Sequence, residues 1–148
     1  MKRVLLDTNV LMLLVIGSLS RDLIGTHRRT QQFTPSDFDL LQGRLQVYDP
    51  VITTPAILTE LSNLMGNDFH EIVSQTMINV CRPFVELISP KEEVFAAEGF
   101  DRLGFADASI LASLDPETTV LTDDVALYLQ VLYMGKEAIN FNHLRNFE

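Results

Sequence analysis

At 148 residues the chain has the size of one domain, and with 47% apolar residues it can bury a sizeable core. A formal net charge of −9 excludes a protein that lives on non-specific phosphate contact, which needs an excess of Lys and Arg. Cys81 is the only cysteine, which excludes a disulfide frame and a thiolate metal site and fits a reducing cytoplasm.

Lys2 and Arg3 precede an apolar run over residues 10–16, an arrangement that superficially resembles a signal peptide. Asp7 and Asn9 stand where its apolar region should begin, and no A-x-A cleavage site follows Ile16. The run also falls far short of the ~20 residues that span a bilayer. It therefore reads as a core helix, apolar on all sides, after a short strand at residues 4–6. Residues 17–34 dissolve into Gly, Ser, Arg and Gln and read as a loop. Thr34-Pro35-Ser36-Asp37 then supplies an N-cap with proline at the first helical position, opening a helix to about Val47.

Residues 51–53 make a second strand, and Thr54-Pro55 repeats the cap-and-proline signal for a helix that stops at Gly66. Phe69, Ile72, Val73, Thr76, Met77 and Val80 follow helical spacing, and Cys81 falls into that pattern as a core residue. Residues 85–88 are a third strand, followed by helices over about residues 92–100 and 105–114. Residues 119–121, 125–133 and 138–141 complete the chain as strand, helix and strand. Strands alternating with helices, without hairpin turns, predict one domain over residues 1–148 with a parallel sheet sandwiched by helices.

Acids in apolar settings carry the chemistry. Asp7 and Asp124 follow the first and fourth strands, where open parallel sheets gather their ligands. Asp7 and Asp123 could equally cap the helices after them. Asp107 interrupts the apolar stripe of Leu103, Ile110, Leu111 and Leu114, unless the helix begins at Ala108 and Asp107 is its N-cap. Glu60 borders the stripe of Ile57, Leu58, Leu61, Leu64 and Met65, where a solvated helix flank is the alternative. Unpaired buried charge is costly, and the basic residues are too few and scattered to neutralise these acids. A hard divalent cation, Mg²⁺ or Mn²⁺, would do so, and its water can attack a phosphodiester. His27, Arg28 and Arg29 form the densest basic cluster, either a phosphate contact or a solvated loop. His27, His70 and His143 lack zinc spacing, and His70 reads as a solvated helix flank. No G-x-S-x-G is present.

Four segments in order give the chain a resemblance to a known family. They are Leu5-Leu6-Asp7-Thr8-Asn9-Val10-Leu11, then Thr53-Thr54-Pro55-Ala56-Ile57-Leu58-Thr59-Glu60-Leu61, then the ten residues from Leu103 to Ala112 around Asp107, and Val120-Leu121-Thr122-Asp123-Asp124. Together they resemble the PIN-domain family, and within it the VapC-type toxin ribonucleases of toxin–antitoxin modules. The resemblance implies an α/β/α sandwich with strand order 3-2-1-4-5 and Mg²⁺- or Mn²⁺-dependent endonucleolytic cleavage of RNA. It makes Asp7, Glu60, Asp107 and Asp124 the catalytic metal ligands, with Thr8, Asn9 and Thr122 orienting them and Asp123 able to share the fourth role. It also implies a cognate antitoxin protein, a homodimer and no membrane. Residues 17–49 run longer than in the most compact toxins, and their tip is where substrate or partner would be gripped.

Two rivals stand beside this reading. One is a PIN fold that scaffolds a complex without cutting, since fold does not fix function. The other is a phosphatase of the haloacid-dehalogenase type, which needs a second Asp where Asn9 stands; an amide cannot shuttle a proton.

Overall fold

The first strand, β1 (Lys2–Leu6), is buried from Val4 onward on both faces, the pattern of a strand covered by helices above and below. The computed structural model of the chain describes residues 2–68 and 70–145. In it β1 lies at the centre of a five-stranded sheet, flanked by β2 (Tyr48–Thr53) and β4 (Thr118–Thr122), with β3 (Val85–Glu86) and β5 (Glu137–Asn140) at the edges. Every pairing is parallel and the order is β3-β2-β1-β4-β5. Leu5 stands level with Ile52 on one side and Val120 on the other. Helices cover both faces, so the expected α/β/α sandwich and its strand order are what the chain adopts.

The apolar run forms α1 (Thr8–Leu19), buried along nearly its whole length. It passes through Gly17, where a Cβ would fall 2.2 Å from the Phe38 ring. Glycine there lets α2 (Pro35–Leu45) approach closely. The cap signal at Thr34 is realised as a capping box: Asp37 N–H donates to Thr34 Oγ1 at 3.2 Å, and Thr34 N–H donates to Asp37 Oδ2 at 2.9 Å. The helix stops two residues before the expected Val47, and β2 begins earlier than expected, at Tyr48. Thr54 caps α3 (Pro55–Met65), which ends at Gly66 in a positive-φ conformation.

The connection before α2 is not the loose loop its composition predicts. It holds one 3₁₀ turn (Arg21–Leu23), and it buries Ile24, Thr30 and Phe33. Phe33 packs edge-on against Phe141 at 5.8 Å, and Arg145 lies over the Phe33 ring while pairing with Asp37 at 2.9 Å. Polar composition conceals these anchors because only three apolar or hydroxyl side chains do the burying.

Three more elements correct the sequence reading. His70 is the N-cap position of α4 (Glu71–Cys81), not a helix flank, and Cys81 at its end is half-buried. Phe69 lies outside the described residues. The expected helix at residues 92–100 is the shorter α5 (Lys91–Phe95), followed by α6 (Phe100–Ser113), which kinks at Gly104. After α7 (Val125–Tyr133), Phe141 does not end β5 but opens α8 (Phe141–Leu144), because Asn140 caps it by accepting from Asn142 N–H at 2.9 Å. Among the described residues no helix is long and apolar enough to cross a membrane.

Candidate functional site

Two strand ends build the floor of the site. Asp7 leaves β1 in extended conformation, its N–H still donating to Leu121 of β4 at 3.0 Å. The chain then turns into α1, so Asp7 becomes its N-cap and Oδ1 accepts from Thr8 N–H at 2.7 Å. Oδ2 accepts from Thr122 Oγ1 at 2.6 Å. Asp7 is only 7% exposed. Burial pushes its carboxyl from 3.8 up to about 6; the Thr122 and Thr8 hydrogen bonds hold it down, and the charges of Asp123 and Asp124 push the same way as burial.

Asp124 takes the equivalent place after β4. Its N–H donates to Thr122 Oγ1 at 2.9 Å, and its Oδ1 caps α7 by accepting from Ala126 and Leu127 N–H at 2.8 and 3.2 Å. The cap of this helix is thus Asp124, where the sequence suggested Asp123. Asp123 is half-buried outside the cleft, with Asn9 Nδ2 donating to its carboxylate at a long 3.4 Å. Burial raises the Asp123 carboxyl above its ordinary value.

The walls come from two helices. Glu60 is half-buried on α3. Asp107 lies within the second limb of α6 rather than at its cap, which removes the capping alternative. The limb exists because Gly104 takes φ 83 and ψ 177, a conformation essentially confined to glycine, and so redirects Phe105, Ala106 and Asp107. Asp107 is pushed from 3.8 up to about 7, first by burial and then by the charges of Asp7, Asp124 and Glu60. Each of those acids is therefore near enough to oppose its ionisation.

Asp7, Glu60, Asp107 and Asp124 line one cleft of about 340 Å³, together with Thr8, Asn9 and residues 103–106. Among the described residues no Lys, Arg or His lines it. Thr8 Oγ1 is buried there without a hydrogen-bond partner. Among the described residues, no three acids, His or Cys converge closely enough to ligate one ion as their side chains stand. Both Asp7 oxygens and one Asp124 oxygen are engaged by protein donors.

Gly104 and Phe105 carry no charge and so do not stand out from the sequence as site residues; a glycine inside a helical pattern is the one signal that points to them. The basic cluster lies elsewhere, at the C-terminal end of α3. Arg29 Nε donates to Leu64 O at 3.1 Å, its N–H donates to His27 Nδ1 at 3.1 Å, and exposed Arg28 reaches Gly66, its guanidinium 2.8 Å from where a Cβ would sit.

Comparison with known proteins returned no match, whether to a family model, a curated protein or a solved structure.

Proposed function

We propose that this chain is a Mg²⁺- or Mn²⁺-dependent endoribonuclease of the PIN-domain type. The observation that carries the reading is the cleft at the carboxyl edge of a 3-2-1-4-5 parallel sheet, lined by Asp7, Glu60, Asp107 and Asp124 and by no cation. Its donors fit a hard divalent ion: they are carboxylates, two of them are raised by burial and mutual repulsion, and Thr8 leaves a buried hydroxyl without a partner beside them.

When bound, such an ion supplies charge neutralisation for a phosphodiester and lowers the pKa of a water for attack. Asp7, Glu60, Asp107 and Asp124 would hold it. Thr122 fixes the Asp7 carboxylate and the backbone entering Asp124, so two ligands from different strands move as one. Thr8 brings a buried hydroxyl with no hydrogen-bond partner among the described residues beside these acids, and Asn9 restrains Asp123. Arg28 and Arg29 contact the RNA backbone, with His27 bracing Arg29. A toxin role with a cognate antitoxin protein, a homodimer and a cytoplasmic location belong to the same reading.

Asp7→Asn and Asp107→Asn should each abolish metal-dependent cleavage of RNA, because each removes a charge while nearly preserving shape. Cleavage by the wild type that persists in a chelator would sink the metal mechanism. The scaffold reading draws on the absence, among the described residues, of three acids converged for one ion, and on the engagement of one Asp124 oxygen as a helix cap. It gives an inert wild type in the same assay.

A further inference from the structure

A second groove, of about 580 Å³, opens directly off the acidic cleft and shares Glu60, Phe105 and Ala106 with it. Its walls are α3 and the second limb of α6, contributing Ala56, Leu64, Phe105 and Ala106, with Asn63 at the rim. Phe105 is 45% exposed, and Phe95 holds its ring in an edge-to-face contact at 6.1 Å. The kink at Gly104 is what delivers the ring to this place. Thr59 does not present its hydroxyl to the groove, since Oγ1 donates to Pro55 O at 2.8 Å.

The acids stand at one end of the groove and an uncharged wall carrying one open aromatic ring follows. Arg28 and Arg29 do not line it but stand beyond Leu64, where α3 ends. Glu60 and Leu64 lie on one helical row of α3, about 6 Å apart along its axis, and Gly66, where Arg28 reaches, is about 9 Å from Glu60, a distance on the order of one to two nucleotides. In a nucleic-acid strand consecutive phosphates are joined by a sugar from which a flat base projects to the side, so a base can reach a ring beside the phosphate-holding acids. A base can use the Phe105 face only if it is unpaired.

We infer that the groove between α3 and α6 is a base-stacking subsite, in which Phe105 receives an unpaired nucleobase of single-stranded RNA next to the phosphate held at the acids. The inference rests on the nuclease reading of the adjoining cleft. It assigns Asn63 to the edge of that base and Arg28 to the following phosphate.

The test is anisotropy of a short labelled single-stranded RNA with Ca²⁺ as the cation, its integrity checked on gels. It is repeated with RNAs carrying one abasic nucleotide at each position in turn, and with the duplex. Wild type should bind the single strand well and the duplex poorly, and one abasic position should weaken binding roughly tenfold or more. Phe105→Ala should lose the same factor on intact RNA and become insensitive to that abasic position, while Phe105→Tyr retains both behaviours. The abasic series on unaltered protein keeps the test independent of folding. Photocrosslinking of 5-iodouridine RNA should place an adduct on Phe105. Equal binding by wild type and Phe105→Ala, a flat abasic series, or duplex bound as tightly as single strand overturns the subsite and leaves the groove to a protein partner. The cleft reading survives those results if the RNA is still cut with Mg²⁺ or Mn²⁺. Wild type that neither binds nor cuts RNA overturns both.

Discussion

Thr122 joins Asp7 across 115 positions of sequence: its hydroxyl donates to Asp7 Oδ2 at 2.6 Å while accepting from the Asp124 N–H at 2.9 Å. One side chain thus satisfies a buried carboxylate and shapes the turn that carries a second acid. Thr122→Val keeps the volume and removes both bonds. Asp7 should then be pushed further up, and the protein should lose about 1–3 kcal/mol, the cost of leaving buried polar groups unmatched. Urea denaturation measures this, and Thr122→Ser should recover most of the loss. Equal stability of the Val and Ser variants would show that the bonds contribute nothing.

Asp107 is opposed by Asp7, Asp124 and Glu60, so its charge strains the metal-free fold. Asp107→Asn should melt no lower than wild type without metal. Mn²⁺ should stabilise wild type by mass action, by ~2.7 kcal/mol at about a hundred times its dissociation constant, and lift the variant less. Equal metal-induced shifts in melting temperature for the two proteins would remove Asp107 from the ligand set.

The same strain has a pH signature. Asp7 rises from 3.8 to about 6 and Asp107 from 3.8 to about 7, so the folded state holds protons that the unfolded state has released. Their favourable contribution is complete below the unfolded value and is lost as pH rises through the folded values. Glu137, which Lys2 holds below its ordinary value, changes only on the acid side of that window. Metal-free protein should therefore melt higher at about pH 5.5 than at about pH 8, and the difference should shrink in Asp107→Asn. A melting temperature that climbs over this interval would contradict the assignment.

Gly104 sets the direction of the limb that carries Phe105 and Asp107. Space is not the obstacle to a larger residue, since a Cβ there would meet nothing within 4 Å; the backbone conformation is. Gly104→Ala should cost about 1–3 kcal/mol of stability, or else shift the limb and impair cleavage. Thermal melts and single-turnover cleavage together detect either result, and a variant unchanged in both would show that the kink is dispensable.

Arg28 and Arg29 are neighbours with different duties. Arg29 is tied to the Leu64 carbonyl, whereas Arg28 is exposed. Arg28→Ala should leave the melting temperature unchanged, weaken RNA binding and reduce the salt slope by about one. Arg29→Ala should also lower stability, by about 0.5–1.5 kcal/mol for the lost hydrogen bond. Identical salt slopes for wild type and Arg28→Ala would mean the patch is only solvated surface.

Periodicity and capping chemistry made most of the sandwich legible, because proline-marked starts such as Thr34-Pro35 and Thr54-Pro55 act locally. The acids in the cleft were legible for a related reason: Asp107 breaks an apolar stripe, and Asp7 and Asp124 follow apolar strands. What escaped depends on contacts far apart in sequence. Polar composition hid the buried anchors Ile24, Thr30 and Phe33, whose ring partner Phe141 lies in the last helix. The choice between Asp123 and Asp124 as cap was equally obscure, since either residue could accept from α7 and only the Thr122 bond settles which way the turn faces.

The central place of β1 fixes the order in which a growing chain can become complete. β1 is made before its neighbour β4 (Thr118–Thr122), so Asp7 waits for its Thr122 partner while 115 further residues are synthesised. Pairings this distant form slowly, because a long loop must close before any contact rewards it. No amino-terminal fragment that stops short of residue 124 carries Asp7 and Asp124 together. Until the segment that forms β4 has been made, Asp7 stands without Thr122 and Asp124, so the geometry of the sheet itself delays the assembly of these acids.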